Sequence, residues 1–401
     1  MPRQRLLTMA GAICTAVAAS ALSAQQSANR CVVEEPSRHP VHLGGDRYGF
    51  VEPHFFDHVG GVFTLLGHPT YVWEIEGGTS SLVEQRSFVG VRIFGDSVQA
   101  VPNPPVDGEI GWLRAARVGP THVSAVFDVQ TDGPDRPSRA FVADLRGAIW
   151  GEVEALPDVP GGGAASIARA SEPILDDDVL RFAVPFGPAN RTALFERGKR
   201  GWSVSTLEGA GVAAVSVGPA GRRVAEVGQT MSSGGARPFV RITELSTGEE
   251  ALRLLDVDRV LDARGVVWSV DGGHLAVAVV TPSGGGALVL DSDLEGSGTL
   301  VETPGRLLSA VPIPSVAPSW LMDGVSGGPG GSLGILSAIP SGAVIARIDT
   351  PYRGPAAAIV EPSKDDGATA HHMVAVGPEA RFPPAQPFVR SLLIRTSITC
   401  S

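Results

Sequence analysis

Residues 268–278 read WSVDGGHLAVA and give the clearest indication of the fold in the sequence. Its Asp271-Gly272 pair is a typical β-turn sequence, and the residues after the turn alternate as a half-buried antiparallel strand does. A near copy, VSVGPAGRRVA, stands at 215–225, and a looser one, VPFGPANRTAL, at 184–194. Each copy is followed by a turn-rich stretch and a further strand pattern. The repetition predicts an all-β domain built from turn and strand units.

Six tryptophans recur along the chain at intervals of 38 to 66 residues. They stand at positions 73, 112, 150, 202, 268 and 320. Repeat units of about 40 to 50 residues produce intervals of this size. One large apolar residue per unit is most simply the filling between packed sheets. We therefore predict that these indoles lie in the core and do not stack on a ligand.

The three turn and strand copies resemble the β-propeller repeats of the WD40-like, TolB-type kind. Units of that kind carry Trp-Ser-Pro-Asp-Gly before a Leu-Ala strand. In this sequence Val270 replaces the proline, and the copies at 184–194 and 215–225 lack the Asp-Gly pair. The resemblance covers roughly residues 180–300. It implies four-stranded blades round a central channel, with partners bound at the channel mouth or on one face. Propellers of many activities share this shape, so the resemblance implies no function.

The length sets the expected number of blades. Division of about 370 ordered residues by about 50 residues per blade predicts seven blades, with six or eight as alternatives. Glycine-rich segments such as 161–163 and 284–286 are short and fall at blade-like spacing, so none is a linker between domains. The expected architecture is one β-propeller domain over residues 25–401, with its ring closed near the termini.

The first 24 residues have the pattern of a secretory signal peptide. Arg3 and Arg5 precede an apolar run at 6–21, and small residues allow cleavage near residue 21 or 24. A membrane anchor is the alternative, but the run is short and rich in Ala, Ser and Thr. A lipidated Cys14 is disfavoured by the bulky Ile13 before it. We predict a secreted or periplasmic protein, of a bacterium by its coding bias, without a membrane span after cleavage.

The composition excludes several classes of protein. The chain is 43% hydrophobic and 18% charged, and its 50 Gly and 32 Pro residues interrupt any long helix. Disorder is excluded because it requires low hydrophobicity and high net charge. Nucleic-acid binding is excluded because the net charge is −10 and the basic residues form no long cluster.

Two cysteines remain after cleavage of the leader, Cys31 near the start of the chain and Cys400 next to its end. An even pair in an oxidising compartment predicts a disulfide, here one that ties the two ends of the ring together. The alternative is a pair of free thiols.

Five of the nine histidines, at positions 39, 42, 54, 58 and 68, fall within thirty residues. His54, Asp57 and His58 match the inverted zinc-protease spacing, with Asp in place of Glu, and are a metal-site candidate. That chemistry requires a helix, which would place both imidazoles on one face. Pro53 and the Gly60-Gly61 pair disfavour a helix, so the alternative is that these are ordinary loop or core residues.

A sialidase-like glycosidase is the second enzyme class to consider. It requires a Tyr nucleophile, a Glu partner and an arginine cluster, and Arg47-Tyr48 near Glu52 is the best match in the sequence. The chain has no Asp-box turn. We therefore expect a monomeric, non-catalytic binding scaffold for a protein or glycan, without a cofactor. The alternative is a propeller glycoside hydrolase or lyase that acts at the central channel.

Overall fold

The computed structural model describes residues 31–400 apart from short segments. The segments outside the description are 36, 44–46, 77–78, 85–87, 96, 131–138, 163–164, 233–234, 261–264, 282–283, 304–305, 313–318, 326–330, 338–343, 351–356, 363–368 and 382–387. The predicted leader lies outside the described residues.

The strands of the described residues form seven antiparallel sheets, and the first two strands join the last sheet. These two are β1 (Cys31–Val33) and β2 (Ser37–Pro40). Sheet I contains β3 (Arg47–Val59), β4 (Val62–Glu76), β5 (Thr79–Glu84), β6 (Val89–Phe94) and β7 (Ser97–Val101). Sheet II contains β8 (Glu109–Gly119), β9 (His122–Gln130), β10 (Arg139–Arg146) and β11 (Ile149–Ala155). A 3₁₀ turn, Ile167–Arg169, leads to sheet III.

Sheet III contains β12 (Ile174–Asp176), β13 (Val179–Phe186), β14 (Arg191–Gly198) and β15 (Gly201–Thr206). Sheet IV contains β16 (Val212–Val217), β17 (Arg223–Ser232), β18 (Gly235–Glu244) and β19 (Glu250–Leu254). Sheet V contains β20 (Arg259–Val260), β21 (Val266–Trp268), β22 (His274–Thr281), β23 (Gly284–Asp291) and β24 (Thr299–Thr303). Sheet VI contains β25 (Arg306–Pro312), β26 (Ser319–Val325), β27 (Gly331–Ser337) and β28 (Val344–Thr350). Sheet VII contains β29 (Ala357–Pro362), β30 (Thr369–Arg381) and β31 (Phe388–Cys400), with β1 and β2 paired to β31.

Neighbouring sheets contact one another mainly through the strands at the start of each sheet, and sheet III contacts β16 of sheet IV through β13. Strand β3 lies beside β8, β16 beside β21, β25 beside β29, and β29 beside β3. We call these first strands, which adjoin one another, the inner strands. This succession of meander sheets around a common centre is a β-propeller, so the all-β propeller class predicted from the sequence is confirmed.

The predicted count of seven blades is corrected. Apolar clusters join five successive sheets, I to V, and these sheets are the five blades of the structure. Sheets I, V and VII also have a fifth strand, because one position of the meander is divided in two. Division by an average repeat length does not detect such interruptions.

The core consists of separate apolar clusters between neighbouring blades. One cluster joins sheets I and II through Leu66 and Phe127, and another joins sheets IV and V through Val227 and Leu275. Because each blade is covered on both faces, its middle strands are buried nearly throughout, and β22 has six buried residues out of eight. Outer strands such as β19 show regular alternation of exposed and less exposed residues.

Side-chain hydrogen bonds stabilise the turn at 269–272, whose sequence predicts the propeller repeat. The amide of Gly272 donates to the carbonyl of Ser269 at 2.9 Å, which closes a β-turn, and Gly272 has a φ of +67°. Asp271 accepts hydrogen bonds from the Ser269 hydroxyl at 2.5 Å and from the Gly273 amide at 3.0 Å. These hydrogen bonds hold the pKa of Asp271 below its ordinary value, because their effect is larger than that of burial, which raises the pKa. Trp268 is buried beneath the turn.

Candidate functional site

The junction of blades I and II carries the candidate site, and it begins at an interruption of the inner strand β8. Its pairing with β9 shifts between Ile110 and Leu113, which leaves Gly111 and Trp112 as a β-bulge opposite Asp128. The Trp112 amide donates to the Asp128 carboxylate. A Cβ at position 111 would lie 2.6 Å from Oδ1 of Asp128, so only glycine fits there without a shift. The bulge therefore fixes the backbone from which the indole projects.

A second bulge lies at the equivalent place on the neighbouring inner strand. The pairing of β3 with β4 shifts between Pro53 and Phe55, which leaves His54 as the extra residue. His68 lies on β4, and its Nδ1 is 2.8 Å from Nε2 of His54. The other nitrogen of His68, Nε2, donates to the carbonyl of Ile110 at 3.0 Å. Because a carbonyl oxygen can only accept, Nε2 of His68 carries a hydrogen, and the contact between Nδ1 of His68 and Nε2 of His54 holds the two rings together.

The two bulges meet at the Trp112 indole. The rings of Trp112 and His54 have centroids 5.3 Å apart and are nearly perpendicular at 84°, an edge-to-face contact. His54 is buried, with 4% of its surface exposed, whereas Trp112 exposes 40%. The exposed ring of Trp112 thus packs against the buried, polar ring of His54.

The carboxyl group beneath Trp112 has a perturbed pKa. Burial raises the pKa of Asp128 above its ordinary value, and the amide of Trp112 and the charge of nearby His68 offset part of this effect. Asp128 therefore keeps its proton to a higher pH than an exposed aspartate does. Perturbed carboxyl groups beside exposed aromatic rings are frequent at binding and catalytic sites.

The three residues of the predicted metal motif lie on strand β3 and make separate contacts. His54 contacts His68, Asp57 lies 3.2 Å from Arg117, and the His58 ring stacks on Phe63 with centroids 4.3 Å apart. Within the described residues, no three His, Cys, Asp or Glu side chains are grouped closely enough to hold one metal ion. The spacing of the motif thus belongs to a strand and not to the helix that the zinc chemistry requires.

The sialidase-like set is also divided among other contacts. Arg47 forms an ion pair with Glu74 at 3.4 Å, and the Tyr48 ring packs against His42 with centroids 4.4 Å apart. The side chain of Glu52 lies outside the described residues. The two members of this set whose side chains are described, Arg47 and Tyr48, thus have contacts of their own.

Cys31 and Cys400 are partners in the pairing of β1 with β31. Strands from both ends of the chain thus belong to one sheet, and the two cysteines occupy facing positions in it. No helix among the described residues has the length and apolar character that a membrane crossing requires.

The site residue that the sequence does not predict is Trp112. The indoles of Trp150, Trp268 and Trp320 are buried, as predicted, Trp202 is half-buried, and the side chain of Trp73 lies outside the described residues. Trp112 is exposed because it lies in the bulge of β8. The signal for it is local: Gly111 interrupts the strand pattern immediately before the indole, and isolated glycines in strands often mark bulges.

The comparisons with known proteins agree with the fold. No protein-family model and no curated protein matches the chain. Among solved structures, the Dos1 propeller matches with a TM-score of 0.53 at 9% identity, over 91% of this chain and 95% of that one. TolB from Acinetobacter baumannii matches with a TM-score of 0.43 at 12% identity, over 74% of this chain and 78% of that one. At such low identity the likeness concerns the fold alone. By its fold, the chain is a propeller-repeat protein.

Proposed function

We propose that the protein is a non-catalytic binding scaffold for a protein or glycan, and that Trp112 is the centre of its binding surface. The observation that carries this proposal is the exposure of Trp112 on an inner strand, directly before the buried run at 113–115. Two neighbouring groups hold the residue, His54 at the ring and Asp128 at the backbone. A ligand that binds a ring already held in place loses less conformational entropy than one that must order it.

The amino-acid chemistry supports a binding role. Tryptophan is enriched among the residues that contribute most to binding, because one side chain offers a large apolar surface and one hydrogen-bond donor. Two arginines near the site have described partners, and both make contacts within the fold. Arg117 pairs with Asp57, and Arg114 donates to the carbonyls of Ala168 and Ala170.

The test is an array of immobilised glycans, together with a photo-reactive residue introduced at Glu109, an exposed position on the same strand, which captures a protein partner while Trp112 stays in place. Leu252 is the matched control position, because it is apolar and 62% exposed on the outer strand β19. We expect Trp112→Ala to abolish binding to the array and Leu252→Ala to retain it. Equal binding by both variants would contradict the proposal.

One observation favours the alternative, a glycoside hydrolase or lyase. Burial raises the pKa of Asp128 beside an exposed aromatic ring, and a carboxyl group with a raised pKa is a feature of general acids. Hydrolysis of a panel of nitrophenyl glycosides distinguishes the two functions. The scaffold predicts no turnover by the wild-type protein, whereas turnover that Asp128→Asn removes would establish the enzyme.

A further inference from the structure

A cavity lies apart from the Trp112 site, between sheets VII and I. It has a volume of about 320 Å³, which lies within the range of small-molecule sites. Strands β2 and β31 form one wall and β6 and β7 form the other. The lining residues that matter for its chemistry are His39, His42, Ile93, Val98, Leu393 and Arg395.

The polar part of the lining is basic. His39, His42 and Arg395 line the cavity, and no described acidic residue does. This composition is unusual in a protein with a net charge of −10. The cavity therefore favours anionic ligands more than the surface as a whole does.

Arg395 is held in place but is not fully hydrogen-bonded. Its guanidinium lies over the ring of Phe63, 4.6 Å from the centroid, which fixes the side chain from one side. Its Nε is buried, and the described residues supply no hydrogen-bond acceptor for it. A buried donor without an acceptor is costly, so an acceptor brought by a ligand would stabilise this arrangement.

The remaining wall is apolar. Leu393 and Ile93 are buried, with 3% and 8% of their surfaces exposed, and Val98 packs beside them. These side chains offer a surface for a ring or a short hydrocarbon chain. A free inorganic ion would leave that surface without a partner.

We propose that this cavity is a second ligand site, which binds a small organic anion with an acidic group on an apolar body. Arg395 pairs with the acidic oxygens, since the guanidinium fork matches planar oxyanions. His39 and His42 supply further donors, and Ile93 and Leu393 pack against the apolar body.

The test uses two fluorescent probes of similar shape, the anion 8-anilinonaphthalene-1-sulfonate and the neutral N-phenyl-1-naphthylamine. We expect the sulfonate to bind the wild-type protein about tenfold more tightly than the neutral probe. Arg395→Gln removes this preference. The control variant Arg237→Gln, an exposed arginine on β18, keeps it. Displacement by benzoate and by phenyl phosphate shows which acidic group the site prefers.

Two further variants keep the test decisive if Arg395→Gln fails to fold. Arg395→Lys retains the charge without the fork and is expected to bind the sulfonate several-fold more weakly than the wild type. Val98→Phe fills the cavity and is expected to weaken the binding of both probes. Equal affinity of the wild type for the charged and neutral probes, or unchanged sulfonate binding by Val98→Phe, would overturn the proposal.

Discussion

Cys31 on β1 lies directly opposite Cys400 on β31 in the antiparallel register of sheet VII. Facing residues of antiparallel strands have Cα atoms about 4.5 to 5.5 Å apart, which is within the range that a disulfide spans. Because β1 begins the described chain and β31 ends it, a bond at this position would join the two ends of the fold.

We predict that Cys31 and Cys400 form this disulfide in the chain from which the predicted leader, with its Cys14, has been removed. Reaction of the denatured, non-reduced protein with a thiol reagent is expected to modify no cysteine, and reduction is expected to release two thiols. The variant with both Cys31→Ser and Cys400→Ser is expected to lose about 2 to 5 kcal/mol of unfolding free energy. Two reactive thiols in the oxidised protein would contradict the prediction.

The turn at 269–272 predicts a stabilising substitution. Val270 is the second residue of this turn and is 44% exposed. Pro219 occupies the same place in the turn at 218–221, where the Gly221 amide donates to the Gly218 carbonyl at 2.7 Å. Proline fits this position because its fixed φ matches the turn. We expect Val270→Pro to raise the unfolding free energy by about 0.5 to 1 kcal/mol.

The matched control for Val270→Pro is Pro219→Ala, which makes the opposite change in the turn at 218–221. We expect it to lower the unfolding free energy by a similar amount, and urea denaturation measures both. A loss of stability in Val270→Pro would show that the two turns differ in backbone conformation.

The sequence predicted the turns better than it predicted the strands. Side-chain bonds within the chain segment itself fix the turn at 269–272, so its residues are sufficient to identify it. The copy at 184–194 resembles the other two in sequence, but it lies in the hairpin of β13 and β14 and not between the first two strands of a blade. The short motif occurs in hairpins at more than one place of the blade, and only the pairing of distant strands distinguishes them.

The candidate site could be predicted only in part. The cluster of five histidines at 39–68 indicates a site in this region, and two of them, His54 and His68, belong to the candidate site. Their partners Trp112 and Asp128 lie in the next blade. The bulge in β3 places His54 at the site, and the bulge in β8 places Trp112 there opposite Asp128. A bulge depends on the register between two strands, which alternation along one strand does not determine.

Two aspartates are expected to give opposite dependences of stability on pH. Burial alone would raise the pKa of Asp144, but the hydrogen bond from Ser124 and the charges of Arg197 and His122 outweigh it and lower this pKa. The ionised Asp144 therefore contributes stability above its ordinary pKa of 3.8, and this contribution is lost as the pH falls through its lower folded value. We expect Asp144→Asn to destabilise the protein at pH 7 and to match the wild type in strong acid.

For Asp128 we expect the opposite dependence of stability on pH. Its pKa is raised by burial, so the folded state binds its proton more tightly than the unfolded state, and stability falls as the pH rises from 3.8 through the folded pKa. We expect Asp128→Asn to remove this fall, because the amide oxygen still accepts the Trp112 hydrogen bond without a buried charge. Thermal denaturation of both variants from pH 3 to pH 8 measures the two slopes, and parallel slopes would contradict the assignment.

A buried ion pair in blade IV provides a test of the packing. Glu226 is fully buried, and its Oε2 lies 2.6 Å from Nε of Arg241, which is itself 8% exposed. Removal of one partner leaves an uncompensated buried charge, so Arg241→Leu is expected to cost about 3 to 5 kcal/mol. Replacement of both residues by leucine is expected to cost less than this single change, in a double-mutant cycle measured by urea denaturation. A larger cost for the double variant would show that the pair is strongly stabilising in itself.

The most direct test of the central claim is the affinity of the protein for its best ligand from the glycan array or the photo-capture experiment. Titration calorimetry compares the wild type with Trp112→Ala and Leu252→Ala. If Trp112 is the centre of the binding surface, its removal weakens binding by about 30-fold or more, a loss of about 2 kcal/mol. Leu252→Ala is expected to bind as the wild type does. An affinity of Trp112→Ala within about twofold of the wild type, with the fold intact by circular dichroism, would show that Trp112 is not the centre of the binding surface.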